Sequence, residues 1–138
     1  RIEALMKHVV DLVDKKLLPN SSASDPEAIC FYHKLSADFY RYVADVHKGK
    51  GYDTEAGKRY KEAWKLAQES LPPTNPIRLG IALNYSVLIH DHQKKGAFAA
   101  DMAKQAFDAA IAKLDSVSEA EYKDTTMIMQ LMRDNITS

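Results

Sequence analysis

The sequence predicts an all-α fold, an antiparallel array of long helices, and three observations carry it. Apolar residues recur at three- and four-residue intervals through nearly the whole chain. Clusters of Pro, Gly and Asn interrupt that pattern and leave long segments joined by short links, which favour antiparallel neighbours. No stretch alternates at period two for long enough to compete as a strand.

The first helix is read from Ile2, Leu5, Met6, Val9, Val10, Leu12, Val13 and Leu17, and Pro19-Asn20-Ser21-Ser22 ends it because Pro cannot continue the ladder. The second starts at Asp25-Pro26, with a capping carboxylate, a Pro at the first helical position and Glu27 at the positive end of the dipole. It runs through Cys30, Phe31, Leu35, Phe39, Tyr42, Val43 and Val46 until Gly49-Lys50-Gly51 breaks it. The third is expected from Thr54 to Ser70, with Tyr60, Ala63, Trp64 and Ala67 on one face. Pro72-Pro73-Thr74-Asn75-Pro76 is a rigid link, and Asn75-Pro76 reads as cap and first residue of a fourth helix ending at Gln93. A fifth is expected from Ala97 to Leu114, and a sixth opens at the capping box Ser118-Glu119-Ala120-Glu121 and continues to Ile136.

The chain has 138 residues, enough to bury a real core, and its 19 Lys plus Arg balance 19 Asp plus Glu. A zero net charge argues against broad nucleic-acid or anionic-membrane binding, which need a sustained basic field. Any anion site must then come from local arrangement. The single cysteine, Cys30, excludes an internal disulfide and suits a cytoplasmic protein, with the thiol as a small buried hydrophobe. No apolar run approaches the roughly 20 residues that span a bilayer. The chain begins Arg1-Ile2-Glu3, already inside a helical pattern, and is expected to be part of a longer protein.

Four stretches go beyond helical patterning. They are Phe31-Tyr32-His33-Lys34-Leu35 continuing to Asp38-Phe39-Tyr40-Arg41-Tyr42, the run from Pro73 to Val87, Phe107-Asp108 with Ala110 to Asp115, and Tyr122-Lys123-Asp124-Thr125-Thr126 continuing to Asn135. In sequence, order and spacing they resemble the 14-3-3 family across essentially the whole chain. The resemblance implies that residues 1–138 form the carboxy-terminal part of a single 14-3-3 domain, its fourth to ninth helices, with the first three absent. It further implies a non-enzymatic adaptor that binds phosphorylated Ser or Thr segments of partner proteins in signalling. The parent protein is expected to pair as a homodimer or heterodimer through helices mostly missing here.

On the second helix Lys34, Asp38, Arg41 and Tyr42 are spaced i, i+4, i+7 and i+8 and share a face. Arg41 offers a planar fork of donors, Lys34 a point charge and Tyr42 a hydroxyl, a set suited to phosphate; spacing alone favours a solvated charged face with Tyr42 as a half-buried packing residue. The resemblance favours phosphate binding. On the fourth helix Gly80, Asn84, Val87 and Asp91 form a stripe with Leu83 alongside. By resemblance Asn84 clamps a ligand backbone and Leu83 and Val87 wall the groove, whereas the bland reading is core packing. Met127, Ile128, Leu131 and Asn135 form the second wall by the same resemblance, with Asn135 as another clamp. Asp91 departs from a usual glutamate, His90 and His92 from aromatic or aliphatic residues, and Met127 and Met132 from Leu, a change expected to soften the wall.

No cofactor or metal is expected, because none of the five His residues pairs at i, i+4 on a helix. Ser86, His90 and Asp91 could be drawn as a hydrolase trio, yet they lie within two turns of one helix with no strained nucleophile turn or oxyanion loop. A tetratricopeptide array lacks its signature here. The rival that survives is a scaffold of the same fold with weakened phosphopeptide binding, motivated by Asp91, the His pair and basic residues not found in this chain.

Overall fold

The computed structural model describes residues 1–21, 24–92 and 95–137, apart from the side chains of 136 and 137; the expected stop at Ser22 and helix end at Gln93 lie outside them. The described residues form six α-helices and no strand. They are α1 Ile2–Leu12, α2 Pro26–Val46, α3 Tyr52–Ser70, α4 Pro76–His92, α5 Gly96–Ala112 and α6 Glu119–Thr137.

The expected helix starts are built as the side chains demand. Asp25 accepts a hydrogen bond from the Ala28 amide at 3.2 Å, and Asn75 accepts from the Ile77 and Arg78 amides at 2.8 and 3.3 Å. The Glu121 amide donates to Ser118 Oγ at 3.3 Å, the first half of the expected capping box. Two boundaries differ from the sequence reading. α3 begins at Tyr52 rather than Thr54, because Gly51, with φ +81°, makes the turn in a left-handed conformation that favours glycine. The first helix does not stay α-helical to Leu17: Val13–Leu17 forms a π-helical turn, closed by a bond from the Leu18 amide to the Val13 carbonyl at 2.8 Å. The wider turn keeps Val13 fully buried while Asp14 forms a two-pronged ion pair with Arg59 of α3 at 2.7 and 2.9 Å.

Each helix packs on the next, and α4 is central, touching α2, α3, α5 and α6. Leu79, Ala82 and Ile89 of α4 meet Met102 and Ala106 of α5 and Met129 and Met132 of α6 in one cluster. Across α4, Tyr60 of α3 lies with Ala37 of α2 and Leu88 in another. Met6 and Val10 fasten α1 to Val43 of α2. Met132, expected to soften a groove wall, is fully buried; the inward face of α6 is Thr125, Met129 and Met132, at i, i+4 and i+7. Among the described residues no helix is long and apolar enough to cross a membrane.

Thr125 is fully buried and donates to the Thr74 carbonyl at 2.7 Å, so it joins α6 to the link before α4. Thr125→Val keeps the shape and strands that carbonyl, and urea unfolding should show a loss of about 1–3 kcal/mol. Thr125→Ser, which keeps the hydroxyl, should lose less than Thr125→Val; the reverse order would show that methyl packing dominates. Cys30 is also fully buried, and burial, with Glu27 nearby, pushes its thiol pKa up to about 11. A thiol reagent at pH 8 should therefore leave the native protein unlabelled and react fully once denaturant is added.

Candidate functional site

The candidate site is organised around a carboxylate on α2. Asp38 is 6% exposed, and burying an unpaired carboxylate carries a large cost, so its partners matter. Lys34, one turn earlier on α2, places Nζ 2.9 Å from Asp38 Oδ2. Asn84 of α4 donates from Nδ2 to Asp38 Oδ1 at 3.0 Å, and the hydroxyl of Tyr60 on α3 donates to that same oxygen. Three helices thus supply donors to one side chain.

Arg41 completes the cluster through Tyr60. Its Nε donates to the Tyr60 hydroxyl at 3.0 Å, while its Nη2 lies 3.9 Å from Asp38, too far for a hydrogen bond. Its guanidinium carbon sits 4.9 Å above the ring of Tyr42, a cation–π contact. Burial opposes the Arg41 charge, yet Tyr60 and Asp38 more than offset it and leave the pKa above its ordinary value. Burial, reinforced by Asp38, raises the Tyr60 pKa far enough that the phenol stays neutral at any working pH.

Lys34, Asp38 and Arg41, placed on one face by their spacing, do converge. Tyr42 borders them and is 43% exposed. Gly80 has a packing reason: a Cβ there would sit 3.1 Å from Lys34 Cε, so the bare backbone of α4 lets the lysine stem cross it. Two residues central to the geometry were not singled out as site residues by sequence reasoning. The sequence marks Asp38 as part of a charged face and Tyr60 as a packing residue. A buried Tyr needs a partner for its hydroxyl, which was the available signal, but the partner lies 22 positions away on another helix.

Apart from Asn84, which bonds Asp38, the expected groove residues fall in three places. Val87, Asp91 and Asn135 line one cleft of about 330 Å³ between α4, α5 and α6, at the small end of ligand-sized cavities. Met127 and Leu131 stand outward on α6 at 59% and 55% exposure, with Ile128 half-buried against the core beside them. Leu83, expected as groove wall, is 9% exposed and belongs to the core cluster, so it offers little surface to a ligand. Asp91 meets its neighbour His90 at 3.0 Å, whereas His92 turns to Asp45 of α2 at 2.6 Å. Ser86 is buried and donates to the Leu83 carbonyl of its own helix at 2.6 Å, so Ser86, His90 and Asp91 form no relay.

Comparison with known proteins bears on this arrangement directly. A family model described as 14-3-3 protein matches residues 1–138. The chain belongs to the 14-3-3 family. Human 14-3-3 protein eta is 46% identical over 139 residues, which cover 99% of this chain and 56% of that protein. The chain therefore spans about half the length of the curated relative it matches. The family stretches read from the sequence fall on α2, α4, α5 and α6, and those on α2 and α4 carry the Lys34–Asp38–Arg41–Asn84 cluster of this 14-3-3 chain.

Replacing Asp38 by Ala leaves two cations of largely buried side chains without their counter-charge. The expected loss lies near the lower end of the about 3–5 kcal/mol typical of a broken buried pair, since Lys34 keeps some solvent contact. Chemical unfolding measures it, and a loss below about 1 kcal/mol would show that the cluster behaves as a surface ion pair.

Proposed function

We propose that this chain forms most of a groove that holds an extended phosphorylated Ser or Thr segment, and that the parent 14-3-3 protein acts as an adaptor regulating partner proteins without catalysing a reaction. The observation that carries the reading is the cluster around Asp38. Lys34 and Arg41 are held in place, and among the described residues Arg41 makes no hydrogen bond through Nη1 or Nη2 and Lys34 Nζ bonds Asp38 alone. Two cations against one carboxylate leave a net positive site. A phosphoserine brings about −1.5 to −2 charges, so the cluster attracts it but does not neutralise it, and further basic residues from upstream helices are part of this proposal.

In this reading Arg41 and Lys34 take the phosphate and Tyr42 adds its exposed hydroxyl. Asn84 and Asn135 fix the ligand backbone, Met127, Leu131 and the half-buried Ile128 receive apolar side chains, and Val87 with Asp91 borders the cleft beyond. Ordering a flexible ligand costs conformational entropy, so backbone clamps contribute as much as charge. We also propose that the parent pairs with a second 14-3-3 chain through helices upstream of these. The rival is a scaffold with lost phosphopeptide binding. It is favoured by one feature: Asp91, where the family pattern has a longer acid, meets the adjacent His90.

Titration of the full-length protein with a labelled phosphoserine peptide containing Arg and Pro, beside its unphosphorylated twin, separates the two readings. The phosphorylated form should bind more tightly, and equal affinities would leave the scaffold reading standing alone. Arg41→Ala should weaken phosphopeptide binding about ten- to a hundredfold, as expected for lost charge-assisted bonds. Asn84→Ala should weaken both peptides and keep the preference between them.

A further inference from the structure

We propose that Tyr60 is a positioning residue for the phosphate cradle: its hydroxyl holds the Arg41 fork from behind and determines which guanidinium edge a ligand meets. This rests on the reading of the site as a phosphate cradle. Tyr60 is fully buried and its ring stacks on Tyr85, with centroids 5.6 Å apart and planes 19° from parallel. It therefore has no route to the ligand, and any effect on binding must pass through its neighbours.

The chemistry of the phenol makes the arrangement directional. A hydroxyl has one proton to donate and lone pairs to accept with. Here the proton goes to Asp38, and a lone pair takes Arg41 Nε–H at 3.0 Å. The phenol thus bridges a cation and a carboxylate that stand 3.9 Å apart and do not bond directly. A guanidinium is planar and has two edges able to grip an oxyanion in bidentate fashion, and one of these includes Nε. With Nε committed to Tyr60, the edge left for phosphate is the Nη1–Nη2 edge. The guanidinium carbon also lies 4.9 Å over the Tyr42 ring, a second contact on the fork. Without the Tyr60 hydroxyl, Nε is left without its acceptor and the fork can turn toward Asp38, which competes directly with a phosphate.

The test compares Tyr60→Phe, Tyr85→Phe and Arg41→Ala in the full-length protein, with the phosphopeptide and its unphosphorylated twin. Tyr85→Phe controls for loss of a hydroxyl from the same ring stack. Tyr60→Phe should lower phosphopeptide affinity about three- to tenfold, the range for one hydrogen bond, and leave the unphosphorylated twin unchanged. Tyr85→Phe should change neither. On an Arg41→Ala background, Tyr60→Phe should have no further effect, because a positioning residue cannot act once its target is gone. If wild type shows no preference for phosphate, the cradle reading falls and takes this proposal with it. If wild type shows the preference and Tyr60→Phe keeps it in full, or weakens both peptides equally, the cradle stands and the positioning role is refuted. Should Tyr60→Phe fail to fold, proton exchange at Arg41 Nε–H in the wild type decides: protected exchange supports the bond to Tyr60, and exchange as fast as in unfolded chain excludes it.

Discussion

The rest of the structure depends on the satisfaction of one buried carboxylate. An Asp38 side chain removed from water is tolerable only with several donors around it, and no single helix can supply them. Lys34 comes from its own helix, Tyr60 from α3 and Asn84 from α4. Each donor fixes the rotation of the helix that carries it, because a turn of 100° per residue would remove the donor altogether. The apolar clusters hold these helices together, but apolar contact is non-directional and permits sliding and rotation. The hydrogen bonds to Asp38 remove that freedom.

A second consequence is register. Asp38 meets Asn84 across an offset of 46 residues, and Asp45 meets His92 across 47. Lys34 lies over Gly80 at the same offset of 46. Pairings at constant offset arise only when two helices run in the same direction with matched rise. α2 and α4 are therefore parallel, as the antiparallel α3 between them in the chain requires. The first helical segment also runs in the direction of α3: Glu3 of α1 meets Tyr52, and Asp14 in the π-helical turn that follows meets Arg59, although at offsets of 49 and 45 the match is looser.

Local features of this fold were legible in the sequence because their causes are local. Asp25, Asn75 and Ser118 cap helices through bonds to amides two or three residues on, which spacing reveals. The convergence of Lys34, Asp38 and Arg41 is likewise a matter of helical angle. The π-helical turn at Val13–Leu17 was not legible, since over a single turn an apolar pattern cannot distinguish 3.6 residues from a wider repeat. Nor was the burial of Leu83 and Met132: periodicity marks an apolar face, but only the neighbouring helices decide how much of it they cover. The bond from Asn84 to Asp38 and the role of Tyr60 link positions 46 and 22 residues apart and depend wholly on packing.

The two ends of the site differ in how much change they can bear, and the geometry explains why. At Asp38, substitution of any donor leaves a buried polar group short of a partner, so the cluster persists as a unit. At the end of α4 the pairs are peripheral: His90 and Asp91 are exposed and adjacent, and Asp45 is half-exposed beside His92. The exposed His90–Asp91 pair contributes little to stability, so those two residues can vary without loosening the array, whereas the His92 side chain is largely buried. Of the residues read as departing from the family pattern, Asp91, His90 and His92 sit at this end of α4 and Met127 and Met132 on α6, and none donates to the buried carboxylate among the described residues. In the proposed site, the cluster around Asp38 is fixed by the fold while the exposed residues at its margin are free to change what lies next to it.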